Sequence, residues 1–370
     1  MFNKDHYVPI IRWKRGEQTA LIELDQEIKN GMTPLIEIPP IDWDFENECF
    51  KKSIDDHLKN FATQIKTSWN NPNKLFIDAF QICIDDDDIM ANGSHPLEYI
   101  FHLLSEEKIE AIPVTSKNRG TNYQKAINSV LHTYNTGFAI RLTDEEFDDI
   151  DSNISWFVDQ FDCSPAETDI FIDYKYIDSK SPVGRMAKLV AGSLLSLPHI
   201  NQWRTLTFAA TTFPENLSEF STGTDGNIPR NEWLIYQRLL KTKLPRYPAF
   251  GDYIISNPEY SKIDPRLMRM SANIRYTADD EYLIFRGFSV TSPKYGKWTQ
   301  TQGLCQRVVG HSKYSGSHYS YGDKYIYDCA NGSASTGNAE RWRKVGTNHH
   351  LTLVRNELSN FHATLAVGSQ

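Results

Sequence analysis

Residues 248–256, with the sequence Pro-Ala-Phe-Gly-Asp-Tyr-Ile-Ile-Ser, form the last of eight short apolar runs that recur along the chain. A segment whose apolar residues have helical spacing follows each of the seven earlier runs. The runs are rich in Ile, Phe, Val and Leu, which is typical of buried parallel strands covered by helices. The eight predicted strands are residues 7–13, 33–39, 74–80, 110–115, 137–142, 169–174, 203–210 and 248–256.

Eight strand repeats favour a closed α/β fold, a (β/α)8 barrel of the TIM type, over an open doubly wound sheet, which stays as the alternative. The glycine-rich motifs that mark nucleotide-binding open sheets follow none of the runs, which weighs against the alternative. We expect the barrel strands and seven helices within residues 1–258 and an α+β insertion at 259–339. The closing eighth helix is then expected within 340–370.

The segment after the eighth strand has a different texture, with frequent Tyr, Ser and Gly. It contains two predicted strands, 282–287 and 324–328, and one predicted helix, 298–309. Because it leaves from the carboxyl end of a strand, we expect it to form a lid over the face where barrel enzymes carry their active sites.

The composition limits the classes of function. The net charge is −8, from 39 Lys and Arg against 47 Asp and Glu, which argues against a protein that coats nucleic acid. The five cysteines are widely spaced without metal-binding patterns, which predicts free thiols in a reducing cytoplasm. No apolar run is long enough to span a bilayer, so we expect a cytoplasmic protein without a membrane partner.

Polar side chains interrupt the apolar strands near their carboxyl ends, which meet at the mouth of such a barrel. A carboxylate in an apolar run must be solvated, paired or bound to a metal, because burying it bare costs several kcal/mol. The predicted catalytic residues are Glu37, Asp78, Asp173 and Lys175. The predicted ligand-binding residues are Lys14, Arg15, Arg141, Asp252, Asn273 and Arg275.

Such a cluster has two interpretations. It can bind a phosphate or carboxylate ligand together with a divalent metal such as Mg²⁺, although the sequence identifies neither the metal nor a cofactor. Alternatively, it can consist of salt bridges that hold the strand ends, with Glu37 paired to Arg12 or Arg141 and Asp78 paired to Lys175 or Lys14.

Four segments resemble the beta protein family of T-even-like phages and bacterial genomes, and the resemblance extends over nearly the whole chain. Members occur in prophages and near defence genes, so the resemblance implies a role in phage–host conflict; it implies no catalytic residues. The segments are Tyr7-Val-Pro-Ile-Ile-Arg-Trp-Lys-Arg-Gly-Glu-Gln, Phe250-Gly-Asp-Tyr, Ser271-Ala-Asn-Ile-Arg-Tyr-Thr and Gly346-Thr-Asn-His-His-Leu.

Two functional hypotheses follow. In the first, the barrel mouth binds or hydrolyses a phosphorylated or nucleotide-like molecule in antiviral defence or counter-defence. In the second, the protein is a non-enzymatic sensor or adaptor whose lid binds a phage protein or a defence effector. The second hypothesis predicts a contact through the basic tetrad at residues 341–344, Arg-Trp-Arg-Lys.

Overall fold

The computed structural model describes residues 2–162, 164–260 and 269–367, with side chains described as far as residue 361. Eight parallel strands form one sheet in the order β1-β2-β5-β6-β7-β8-β9-β11. In chain order the strands are β1 (Ile10–Arg12), β2 (Leu35–Glu37), β3 (Trp43–Asp44), β4 (Cys49–Phe50), β5 (Leu75–Asp78), β6 (Ala111–Thr115), β7 (Phe138–Leu142), β8 (Thr168–Tyr176), β9 (Thr205–Thr211), β10 (Asp225–Pro229), β11 (Ala249–Asp252), β12 (Ser271–Ala278) and β13 (Glu281–Ser289).

The two edge strands of this sheet are β1 and β11, and the residues that directly precede β1 pair with β11. The backbone N–H of Val8 donates to the carbonyl of Phe250 at 2.8 Å, and Tyr7 forms an isolated parallel bridge with Phe250. Gly251 allows this close approach, because a Cβ atom at that position would lie 2.8 Å from the carbonyl oxygen of Val8. The sheet is therefore a nearly closed parallel barrel, and the predicted barrel is confirmed over the open sheet.

Helices cover the barrel between its strands. Thr143 and Glu146 form a capping box, which begins a 3-10 turn at Asp144–Asp149. The helices are α1 (Arg15–Ile22), α2 (Gln26–Asn30), α3 (Ile54–Leu58), α4 (Phe61–Ser68), α5 (Pro96–Glu106), α6 (Thr121–Tyr134), α7 (Ile150–Phe161), α8 (Val183–Ser196), α9 (Asn231–Leu239), α10 (Thr301–Val309), α11 (Tyr321–Ala330) and α12 (Ala339–Val367). The described helices include none that is both long enough and apolar enough to cross a membrane.

Alternation along the strands builds the barrel interior in layers, since successive side chains point to opposite faces of a sheet. One buried layer is apolar and contains Ile10, Leu35, Phe76, Ala139 and Phe171. Two residues later along the same strands come Arg12, Glu37, Asp78, Arg141 and Asp173. The layer nearest the carboxyl ends is therefore charged, and it lies directly on the apolar core.

The segment after β11 contributes to a second, smaller core. Strands β12 and β13 pair antiparallel, and β10, from the loop after β9, pairs with β13. The predicted strand at 282–287 is confirmed within β13, whereas β12 was not predicted. The predicted strand at 324–328 is wrong, because these residues lie in helix α11. The Ser320 side chain caps α11 by accepting a hydrogen bond from the Asp323 N–H, and Ile326, Cys329 and Ala330 are buried along the helix.

Helix α12 packs against α1, α2, α11 and β12. The cysteines at 49, 83, 305 and 329 are free thiols, as predicted, and Cys163 lies outside the described residues. Residues 261–268 of the predicted insertion also lie outside them.

Candidate functional site at the barrel mouth

Arg141 on β7 is the centre of the charged layer. It donates from Nε to Asp173 Oδ2 at 2.7 Å, and from Nη1 to Glu37 Oε1 and Asp78 Oδ2, both at 2.8 Å. Its Nη2 donates to the hydroxyl of Tyr253 at 2.6 Å. One buried guanidinium thus joins side chains from β2, β5, β7 and β8, and the pairing of Glu37 with Arg141 agrees with one of the salt bridges considered from the sequence.

A second guanidinium, that of Arg119, enters the site from the loop after β6. Its Nη2 donates to Asp78 Oδ2 at 3.0 Å, and the guanidinium lies 3.7 Å from the centre of the Phe80 ring. Sequence reasoning missed Arg119, although the Lys-Asn-Arg run directly after the fourth predicted strand was an available signal. The mouth therefore holds two buried arginines.

The carboxylates of Asp78 and Asp173 have a hydrogen bond on each oxygen. Asp78 Oδ1 accepts from the Phe80 N–H at 3.1 Å, and Asp173 Oδ1 accepts from the Lys175 N–H at 2.9 Å. Burial alone would raise the pKa of Asp78, but Arg119 and Arg141 hold it below its usual range. Asp78 is therefore an ionised anchor for the two arginines.

Glu37 has a different environment. Its Oε1 accepts from Arg141, whereas its buried Oε2 has no hydrogen-bond partner among the residues that the structure describes. Burial raises the pKa of Glu37 and outweighs the opposing effect of Arg141. Of the three predicted catalytic carboxylates, Glu37 is the one with an oxygen free to exchange a proton with a bound molecule.

Glu37 lines a cavity of about 270 Å³. Two other buried atoms have no hydrogen-bond partner within residues 2–162, 164–260 and 269–367, namely Nε of Arg119 and the hydroxyl of Tyr260, and both residues line the same cavity. The lining residues are Glu37, Asp78, Phe80, Gln81, Ile84, Ser116, Asn118, Arg119, Arg141, Thr143, Lys175, Tyr253, Pro258, Glu259 and Tyr260. The cavity therefore combines hydrogen-bond donors with an acidic group.

The segment Pro258–Tyr260, which follows β11, forms part of the cavity wall. The Arg12 guanidinium lies 3.9 Å from the centre of the Tyr260 ring, and Arg12 donates to the carbonyl of Glu259 at 2.6 Å. Lys14 lies 5.9 Å from the same ring. Lys175 is exposed and also lines the cavity. Its backbone lies in the left-handed region, at a φ of 50°. The two lysines therefore place positive charge at the entrance of the cavity.

The side chain of Asp252 points away from the barrel interior, on the outer face of β11. It accepts from the Tyr7 hydroxyl at 2.6 Å and is paired with His350 at 2.9 Å, and His350 also contacts the Thr277 hydroxyl. Burial alone would raise the pKa of Asp252, but His350 holds it below its usual range. This buried pair connects the barrel to α12 and β12.

Three other predicted ligand-binding residues also have contacts away from the cavity. Arg15 is exposed and paired with Glu340 at 3.2 Å. Asn273 donates to the carbonyl of Ser271, and Arg275 donates to the carbonyl of Ile255 at 2.8 Å. The structure thus brings Lys14, Lys175, Glu37, Asp78, Arg141 and Asp173 together, and it places Arg15, Asp252, Asn273 and Arg275 elsewhere.

The arrangement of the three carboxylates does not suit a divalent metal. Arg141 already occupies the position between them and binds one oxygen of each. Within the described ranges there is no group of three His, Cys, Asp or Glu side chains that could hold a metal ion. The positive charge that a metal would supply to these carboxylates comes instead from the arginines.

The basic tetrad at residues 341–344 contacts its own chain. Trp342 is buried, Arg343 donates to the carbonyl of Ile255, and Lys344 donates to Glu23 at 2.8 Å. Arg341 donates to the Tyr321 hydroxyl. These contacts connect the start of α12 to α1, α11 and the segment after β11.

Comparison with known proteins identifies a family. A search of curated proteins finds no match to this chain. A family model described as Beta protein matches residues 7–355, which include all the barrel strands, the smaller sheet and most of α12. The chain therefore belongs to the Beta protein family.

Proposed function

We propose that the barrel mouth binds a phosphorylated or nucleotide-like small molecule and hydrolyses it, with Glu37 as the proton donor. We further propose that this activity serves antiviral defence or counter-defence in the cytoplasm. The cellular role is supported by the membership of the chain in the Beta protein family, because members of this family occur in prophages and near defence genes. The chemistry is supported by the residues at the mouth.

One observation carries the proposal: Glu37 Oε2 and Arg119 Nε are both buried, both lack a partner in the described part of the chain, and both belong to residues that line one cavity. Leaving a buried polar atom unpaired costs about 1–3 kcal/mol, and more when the group is charged. A ligand that accepts a hydrogen bond from Arg119 and forms another with Glu37 would offset both costs. Arg119 favours an anionic group, because guanidinium pairs strongly with phosphate oxygens.

The charges favour the same orientation of the ligand. A phosphate would be attracted by Lys14 and Lys175 at the entrance of the cavity and by Arg119 deeper inside it. Glu37 would contact the bond that breaks. In hydrolysis, water attacks phosphorus, the bond from phosphorus to the leaving oxygen breaks, and Glu37 gives its proton to that oxygen. The attacking water then returns a proton to Glu37. Asp78 and Asp173 would position the arginines in this scheme.

We also propose that the segment Pro258–Tyr260 covers the bound ligand. Pro258, Glu259 and Tyr260 line the cavity, and Arg12 contacts the last two of them. The adaptor hypothesis, in which the insertion binds a protein through the tetrad, stays a prediction. The contacts of the tetrad within its own chain do not favour it.

A binding panel tests the proposal. Isothermal titration with phosphorylated sugars, nucleotides and their dephosphorylated counterparts is expected to detect binding of at least one phosphorylated compound only. Lys175→Ala should weaken that binding about tenfold, which is roughly 1.4 kcal/mol, because an exposed cation near the phosphate is lost. Lys188→Ala, which removes an exposed lysine of α8, should leave the affinity unchanged. Equal affinity of the two variants, or no phosphorylated ligand at all, would contradict the proposal.

A further inference from the structure

Two loops at the carboxyl end of the barrel carry exposed apolar side chains. One loop follows β2 and contains the β3–β4 hairpin, and the other follows β5; β2 and β5 are neighbours in the barrel. We call residues 42–52 and 84–89 the rim surface. Twelve large apolar residues are exposed in the described part of the chain, and five of them belong to the rim surface: Trp43, Phe45, Phe50, Ile84 and Ile89.

The hairpin presents an aromatic pair to solvent. Trp43 and Phe50 face each other across the two strands, with ring centres 5.0 Å apart and planes perpendicular. Trp43 is 40% exposed and Phe50 is 58% exposed. An isolated two-stranded hairpin is only marginally stable in water, and exposed aromatic side chains are enriched at protein interfaces. The aromatic pair is therefore an exposed apolar surface of the kind that protein interfaces contain.

The same surface carries much of the negative charge of the molecule. Residues 42–52 and 84–89 contain eight carboxylates and two lysines, a net charge of −6 against −8 for the whole chain. Burial, together with the neighbouring carboxylates of Asp85 and Asp87, raises the pKa of Asp88. Within the described ranges, Asp86 accepts from the N–H groups of Asn122 and Tyr123 at the start of α6. The other seven of the eight carboxylates take part in neither an ion pair nor a helix cap: Asp42, Asp44, Glu46, Glu48, Asp85, Asp87 and Asp88.

We propose that the rim surface binds a protein segment in which Lys or Arg side chains flank large apolar side chains. The apolar side chains of the segment would pack on the aromatic pair, and its cations would face the carboxylates. The charge argues against other occupants, since nucleic acids and anionic membranes are repelled by a surface of net charge −6. A second copy in symmetric contact would face the same negative charge.

Selection from a random-peptide library tests this inference. The natural chain serves as bait, and a Trp43→Ser/Phe50→Ser variant removes peptides that bind elsewhere. Selected peptides should be enriched in Lys and Arg next to aromatic or aliphatic residues. Their affinity should fall at least tenfold in that variant and several-fold in Asp85→Asn/Asp87→Asn. Leu195→Ser is the matched control, because Leu195 on α8 is also 58% exposed, and it should bind like the natural chain.

Three outcomes would overturn the proposal. The first is a selected set without basic residues, and the second is undiminished binding by the Trp43→Ser/Phe50→Ser variant. The third comes from sedimentation: a dimer of the natural chain that becomes monomeric in this variant would assign the rim surface to a second copy instead. All the substituted side chains are exposed, so the variants should unfold at the same denaturant concentration as the natural chain.

Discussion

Glu37→Gln is expected to lower the turnover of a phosphorylated ligand about 10²- to 10⁴-fold, the usual effect of losing a general acid. The amide keeps the shape of the side chain and can still accept from Arg141, so the affinity should change only a few-fold. The expected result is a loss of kcat with little change in binding, measured by phosphate release and by titration.

The pH profile gives a second readout of the same residue. Since burial raises the pKa of Glu37, the proton-donating form persists to a higher pH than for an ordinary glutamate. Activity should therefore fall as the pH rises through this raised pKa, and Glu37→Gln should remove that limb of the profile.

Glu17→Gln is the matched control for this substitution. Glu17 is also buried, its pKa is also raised by burial, and its Oε2 also lacks a partner among the described residues, but it lies next to Arg343 outside the cavity. Turnover should be unchanged in this variant. Equal losses in the two variants would show that the effect of Glu37→Gln comes from general destabilisation and not from a lost proton donor.

Arg141→Met should lower the free energy of unfolding by about 3–5 kcal/mol, because it leaves three buried carboxylates without their shared partner. Methionine fills a similar volume, so lost packing contributes little. Urea unfolding monitored by circular dichroism measures the change. Arg307→Met is the control, since the Arg307–Asp225 pair is about 40% exposed on each side and should contribute at most about 1 kcal/mol.

Neutralising the carboxylates provides an internal check on this account of Arg141. Adding Glu37→Gln and Asp173→Asn to Arg141→Met neutralises the two carboxylates that lose their cation, whereas Asp78 keeps its pair with Arg119. The added substitutions should therefore recover part of the lost stability. If Arg141→Met is as stable as Arg307→Met, or if neutralisation destabilises it further, the ion network does not hold the strand ends together.

The polar members of the barrel strands could be located from the sequence because strands have a period of two. In Leu75-Phe76-Ile77-Asp78, an inward Phe76 requires an inward Asp78, and the same holds for Ala139 and Arg141. This rule also explains why Asp252 is not at the mouth. In the last strand Ala249 and Tyr253 belong to the inner cluster, so Asp252 points outward to His350.

Loop residues and the second core could not be predicted in this way. Arg119 and Tyr260 follow strands in loops, which have no fixed register, so only the folded chain brings them to the cavity. The helix at Tyr321–Ala330 was mistaken for a strand because Tyr-Ile-Tyr resembles a β-strand run. The cap at Ser320 and packing against α10 and α12 determine that it forms a helix.

The central claim is that the cavity between Glu37, Arg119 and Tyr260 is the ligand site, and a crystal structure with the tightest-binding phosphorylated compound tests it most directly. The account predicts a phosphate oxygen within hydrogen-bond distance of Arg119 Nε and a ligand atom within hydrogen-bond distance of Glu37 Oε2. Density for the compound elsewhere would contradict it, for example in the cavity of about 640 Å³ near Arg204 and Arg355 at the amino end of the barrel, with only water beside Glu37.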